Sequence, residues 1–413
     1  MKLKPSLMLL ATSALLLAAL PACRPGGGPK LLFIGIDALD WELVDSLRAQ
    51  GLMPNIDRLI REGSSAVINT DENADSALYW TNIATGQHSK KHGINGFAYK
   101  DPETGKMLIN TSNRRKVKAF WDIFSEKKIT VGVTGWFVTW PVETVNGFMV
   151  SSYMAMRGLQ PVLKGSFYGG AAGMVYPPAL QARAEELSRS GEDFYRRDLL
   201  KIAPTSAQMK GRRKIIKGEW AIMSDLILRE VGLGLYKKVR PTVLAVYFNG
   251  VDVVGHHFTS EKPDDEAALI ATFGDVQKNY YIYVDSMIKP LLETADAKTT
   301  IMVVSDHGLR HGKHTDRGVF IMDGPNVKAN VRLDSRVSLI DICPTMLYTM
   351  GLPVSEDMDG RVAAGAFTDE FLRTHRIRTI HSYGPRRAYS SKAIESNFDD
   401  KIIERLKSLG YLK

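Results

Sequence analysis

The sequence predicts an α/β fold: a central, mostly parallel sheet covered by helices, with a mainly helical insertion near its middle. Three observations predict it. Short apolar, β-branched runs (LLFIGI, VLAVYF, TIMVV) are too brief for core helices and are bounded by turn residues. Segments with helical spacing alternate with them, as βαβ units require. Acidic residues or histidines follow each run closely, at the carboxyl ends of strands, where open α/β sheets build their sites.

In chain order, Leu31–Ile36 reads as a fully buried strand with Asp37 at its tip. Residues 41–50 form a helix that stops at Gly51, and 54–62 form a second with Pro54 in the first turn and Gly63 at its end. Residues 77–85 read as a helix ended by Gly86, and 118–126 as another; 130–134 and 148–152 read as strands. Between Tyr153 and Arg240 the rhythm breaks at YGGAAG and Pro177-Pro178 and continues as a basic, amphipathic stretch, read as a helical cap over the site. The strand 243–248 resumes the sheet, 266–293 reads as one long helix, 299–304 as the next core strand and 318–321 as a short one. An amphipathic helix over 399–409 closes the chain. At 413 residues, one large domain with an insertion is the expected organisation.

The residues at the strand ends are the chemical signal. Asp37, Asp252 with His256, Asp306 with His307, and His314 supply the oxygen and imidazole donors that a pair of zinc-like divalent ions requires. Asp252 and His256 are four apart, hence on one face of a helical turn. His311 competes with His314 for the last imidazole, and His314 is preferred because the strand that follows can position it. Ser76 opens a helix, where free N–H groups suit a phosphate; it reads as either a nucleophile or a plain N-cap, and the two roles are compatible. Thr81 and Thr85, inside that helix, read as packing or backbone-bonded residues. The joint set points to a metal-dependent hydrolase.

The N-terminus reads as a targeting segment rather than fold. Lys2 and Lys4 precede the apolar stretch 7–20, which is short for a bilayer span, and Leu20-Pro21-Ala22-Cys23 resembles a bacterial lipoprotein signal. Residues 1–22 are then a signal peptide and 23–30 a linker lipidated at Cys23, placing residues 31–413 at the cell envelope on a membrane anchor. With Cys23 and Cys343 alone there is no disulfide framework, and Cys343 reads as a buried thiol in an apolar helix. The net charge of +9 favours anionic partners, and no basic block with interleaved aromatics suggests nucleic acid.

The stretches IGIDALDW, SALYWTNIATGQHSKKHGI, FNGVDVVGHHF, VVSDHGL and HTDRGVFIMDGP, followed by IDICPTMLYTMGLP and EDMDG, resemble the type I phosphodiesterase/nucleotide pyrophosphatase branch of the alkaline phosphatase superfamily. They run from about residue 31 to 360 and leave the middle insert unmatched. The resemblance implies an alkaline-phosphatase-like sandwich and two zinc ions, with manganese as the alternative. One ion takes Asp37, Ser76, Asp306 and His307, and the other Asp252, His256 and His314. Ser76 falls on the nucleophile position, and the substrate is a small anionic phosphate ester. Two departures bear on specificity: Phe97 and Tyr79 stand where the nucleotide pyrophosphatases carry asparagine. The sulfatase signature is absent around Ser76. Two further readings are a phosphoryl- or phosphoalcohol-transferase on envelope glycans or lipids, and a non-catalytic lipoprotein that keeps the fold.

Overall fold

The computed structural model describes residues 27–70, 75–159, 172–203, 213–386, 389–396 and 399–408; Cys23 and the segment before it lie outside them. The first half comprises β1 (Leu31–Ile36), α1 (Trp41–Ala49), α2 (Pro54–Glu62), β2 (Ser64–Asn69), α3 (Ser76–Thr85), α4 (Phe120–Glu126), β3 (Val131–Thr134), β4 (Gly147–Val150) and β5 (Val175–Tyr176). Then follow α5 (Gln181–Ile202), α6 (Arg213–Val239), β6 (Val243–Phe248), α7 (Gly250–Phe258), α8 (Pro263–Phe273), α9 (Val276–Leu292) and β7 (Thr300–Val304). The hairpin β8 (Gly308–Arg310) and β9 (Lys313–Thr315) leads into β10 (Gly318–Asp323), β11 (Val331–Arg332), β12 (Val337–Ser338) and α10 (Ile342–Thr349).

The main sheet has the order β11-β2-β10-β7-β1-β6-β3-β4-β5, with β12 also on β2. Its centre, β7-β1-β6-β3-β4, is parallel throughout, whereas β10 runs antiparallel to both β7 and β2. All six residues of β1 are buried, so both sheet faces must be covered. Alternation along the strand divides them: Leu32, Ile34 and Ile36 join one core with α1, α2, α6 and α9, while Leu31 and Phe33 join a second core with α3, α4 and α10. The result is a helix–sheet–helix sandwich around a mostly parallel sheet. In the stretch 153–240, the described residues are chiefly α5 and α6, and Leu228 and Val231 of α6 are buried in the first of these cores.

Several expectations are corrected. The helix expected over 266–293 is two helices, because Gly274 adopts φ +80° and Asp275 restarts the chain, its side chain accepting from Lys278 N–H at 3.1 Å. The helix expected from Lys118 starts at Phe120, where the Asp122 carboxylate accepts from Ala119 N–H. Strand β2, SSAVIN, went unanticipated because its serines hide a pairing partner of β10. Cys343 is a buried thiol on α10, as expected.

A buried ion cluster ties the C-terminal segment to this core. Arg115 donates to Asp122 at 2.8 Å and to Glu143 at 2.9 Å, and Arg386 and Trp121 Nε1 also donate to Glu143. Removing the shared acid leaves the Arg115 guanidinium, 2% exposed, short of countercharge. Glu143→Ala should therefore lower stability by about 3–5 kcal/mol, read as a fall in the urea midpoint at unchanged slope.

Candidate active site

Each candidate side chain is delivered by the end of an element. Asp37 ends β1, its N–H donating to Phe248 O at 2.9 Å, and the Tyr247 hydroxyl donates to its carboxylate. Tyr247 sits opposite Gly35 in the β1–β6 register. A Cβ at Gly35 would lie 2.7 Å from the Trp80 ring, so glycine lets α3 approach the sheet closely enough to bring Ser76 to Asp37. Trp80 is further held by Trp136, whose Nε1–H donates to Trp80 O at 2.9 Å.

The N-cap of α3 is Asp75, not Ser76. Its carboxylate accepts from the N–H groups of Ala77 at 3.1 Å, Leu78 at 3.4 Å and Phe97 at 2.9 Å. Ser76 is thus the first helical residue, and its Oγ lies 3.3 Å from Asp37 Oδ1 and 3.4 Å from His307 Nε2. Thr81 and Thr85 instead donate to the carbonyls of Ala77 and Thr81, both at 2.7 Å, as helix-interior hydroxyls do.

Asp306 and His307 follow β7 in a sharp turn. Ser305 Oγ accepts from Leu39 N–H at 2.8 Å and donates to His307 O at 2.6 Å, which locks the turn against the β1 tip. His307 Nδ1 lies 3.0 Å from Gly308 O; a carbonyl only accepts, so Nδ1 carries the proton and Nε2 offers its lone pair to the cluster. Nε2 stands 3.3 Å from Asp37 Oδ1 and 3.5 Å from Asp306 Oδ2.

The second set comes from α7 and the hairpin. Asp252 and His256 lie one helical turn apart, with His256 Nε2 at 3.2 Å from Asp252 Oδ1. His314 Nε2 is 3.8 Å from the same oxygen and 2.9 Å from His256 Nε2, and its ring stacks on His307 at 3.8 Å. His311 points elsewhere, with Nδ1 2.7 Å from Glu266 Oε2. All seven candidates therefore converge.

The donor set fits metal ions. A tetrahedral ion with ligands at about 2.0–2.1 Å needs donor atoms about 3.3 Å apart, close to the separations of 3.3, 3.4, 3.3 and 3.5 Å just described. Asp37, Asp306 and His307, and separately Asp252, His307 and His314, offer ligand atoms all within 4.8 Å of one another. Oδ2 of Asp306 is buried and receives no hydrogen bond. Crowding of like charge agrees with this: burial, then the nearby Asp252, raises Asp37 to about 6, and burial, then Asp37, raises Asp306 well above the usual carboxylate range. Burial pushes Asp252 up, but the combined pull of His256, His307 and His314 holds the carboxyl below the usual carboxylate range. Burial and then His307 depress His314 to about 3, which keeps its imidazole a neutral donor. Buried carboxylates at this spacing stay ionised only with positive charge between them, which divalent ions would supply.

Sequence reasoning missed the residues that hold these ligands. Asp225 of α6 accepts from Asn249 N–H at 3.1 Å, from Gly250 N–H at 3.1 Å, and from the Tyr280 hydroxyl at 2.9 Å, fixing the start of α7. A lone acid in a mixed helical pattern carries no signal of that role; Tyr247, penultimate in β6 beside Gly35, was in principle legible from the strand register. Burial pushes the Asp225 carboxyl up to about 7 against its three hydrogen bonds. The unfolded chain loses this proton near pH 4. Between about pH 4 and 7 the folded state therefore holds more protons, and stability falls as pH rises through that window. Asp225→Asn should narrow the loss of unfolding free energy between pH 5 and 8 by about 2–3 kcal/mol, measured by urea titration at both values.

The model of the type I phosphodiesterase/nucleotide pyrophosphatase family matches residues 31–361. Arylsulfatase K of Homo sapiens is 28% identical over 95 residues, and the match spans 20% of this chain and only 18% of that protein's length. The crystal structure of wild-type alkaline phosphatase PafA superposes with TM-score 0.52 at 11% identity, covering 84% of this chain and 100% of that one, a likeness of fold. The phosphonate monoester hydrolase SpPMH from Silicibacter pomeroyi is similar at TM-score 0.48 and 14% identity, over 82% of this chain and 76% of that one. With four-fifths of its length under one family model and the motifs meeting at one sheet end, this chain belongs to the type I phosphodiesterase/nucleotide pyrophosphatase family.

Proposed function

We propose that this protein is a hydrolase of phosphate esters that uses Ser76 as nucleophile and two zinc-like divalent ions. The observation that carries the reading is Ser76 Oγ within 3.4 Å of both Asp37 and His307, at the N-terminus of α3. Asp37, Asp306 and His307 with Ser76 would hold one ion, and Asp252, His256 and His314 the other. Such ions supply positive charge against the phosphoryl oxygens and favour an ionised nucleophile. Ser76 Oγ attacks phosphorus in line while the P–O bond to the leaving alcohol breaks; the Ser76 proton passes to solvent, and the leaving oxygen takes one from water. Water then attacks the phosphoserine from the opposite side, breaking the Ser76 Oγ–P bond and restoring the hydroxyl. Tyr247 keeps Asp37 aimed by its hydrogen bond, and the Nδ1 contact to Gly308 O keeps the His307 ring oriented.

The test is a panel of a phosphomonoester, a phosphodiester and a phosphonate monoester with zinc-loaded protein. Turnover of at least one, abolished by chelation and restored by zinc, supports the reading; zinc-loaded protein inert on the whole panel contradicts it.

A further inference from the structure

A pocket opens beside Ser76, with Asp37, Ser76 and Asp252 on its floor. Its walls come from distant parts of the chain: Phe97, Phe137, Trp140, Tyr153, Trp220 and Leu228. The aromatic walls brace one another. Trp140 and Tyr153 stack at 5.0 Å with 5° between planes, and Phe97 meets Phe137 edge-on at 5.0 Å. Phe137 in turn lies 4.9 Å from the Tyr247 ring, whose hydroxyl donates to Asp37, so the apolar wall reaches the reacting end. Apart from Asp37 and Asp252, every described lining residue is uncharged, and none is Lys or Arg.

That composition selects a chemistry. A phosphodiester brings one negative charge, which the reacting end can offset, whereas an arm that carries further charge would meet walls whose described residues include no cation. An aryl or alkyl group instead buries its surface against the rings. In-line displacement sends the leaving oxygen away from Ser76 Oγ, toward Asp252, His256 and His314. The walls that flank Ser76 and Asp37 stand beside the attacked phosphorus, where they can seat the ester arm that stays on it.

We propose that the pocket beside Ser76 binds an apolar aryl or alkyl arm, so that the substrate class is a phosphodiester of an apolar alcohol rather than of a polar or charged one. This rests on the phosphate-ester hydrolase reading above. The released product is then the monophosphate of that apolar alcohol, with one water consumed.

The experiment keeps the leaving group constant and varies the other arm. Zinc-loaded protein is assayed on the p-nitrophenyl diesters of phenyl, methyl and thymidine 5′-phosphate, and binding of phenylphosphonate and methylphosphonate is measured by calorimetry. The phenyl diester should exceed the methyl and thymidine diesters in kcat/KM by about tenfold or more, and phenylphosphonate should bind about tenfold more tightly than methylphosphonate. Trp220→Ala should cut the phenyl-to-methyl ratio of kcat/KM by about tenfold, and Phe97→Ala, on a loop, provides a second reading if Trp220→Ala misfolds. Diesters all turned over without a phenyl preference would overturn the pocket assignment and leave the hydrolase reading standing. Tight phenylphosphonate binding with no diester hydrolysed would support the pocket and sink the hydrolase reading. Equal binding of the two phosphonates would overturn the pocket assignment whatever the rates.

Discussion

Ser76→Ala should retain the fold and most of its bound metal yet lose on the order of 10³-fold or more in kcat, about 4 kcal/mol of transition-state stabilisation. The side chain is small, its Oγ is the only atom removed, and the α3 cap belongs to Asp75, so the helix start survives the change. Ser76→Thr should keep far more of the rate, because the hydroxyl remains at the same helix position. Steady-state rates on the best ester of the panel, with metal content and the urea midpoint measured on the same samples, separate a chemical loss from a folding one. Near wild-type hydrolysis by Ser76→Ala together with a dead Thr81→Ala would remove Ser76 from the mechanism, although Thr81 Oγ1 donates to a helix carbonyl here.

The double variant Asp252→Ala/His256→Ala should lose one of two ions and nearly all turnover. Both side chains project from one turn of α7, with 3.2 Å between their donor atoms, and their removal leaves His314 alone on that side. The other set, Asp37, Asp306 and His307 with Ser76, stays intact and should keep its ion. The expected outcome is about one ion per chain and a rate loss comparable to that of Ser76→Ala. Because Asp225 and Tyr280 hold the start of α7 independently, the helix should remain in place. Retention of two ions would show that these ligands are wrongly assigned.

What was legible in the sequence was whatever local chemistry announces. Buried strands such as LLFIGI, the four-residue spacing of Asp252 and His256, and the Gly stops at Gly51 and Gly86 all signal through short windows. The convergence of Asp37, Asp306 and His307 followed from strand ends meeting on one side of a parallel sheet, whereas Ser76 arrives on helix α3. Features set by distant partners stayed hidden. Strand β2 is defined by pairing with β10, roughly 250 residues away, and its serines disguise it. Asp225 gains its role only when α6 packs beside the Asn249–Gly250 turn. Tyr79, one of the two aromatic departures, is buried and meets the His307 ring edge-on at 5.8 Å, while Phe97 alone of the pair lines the pocket. A motif comparison weighs both positions alike, and only packing tells them apart.

The central claim, that two adjoining sets of carboxylates and imidazoles hold ions that catalysis needs, is tested most directly by elemental analysis paired with activity. Purified wild-type protein should contain about two zinc-like ions per chain, lose its ester hydrolysis on exhaustive chelation, and regain it as two equivalents of zinc are returned. Protein that remains fully active with metal stripped to well below one ion per chain would contradict the account.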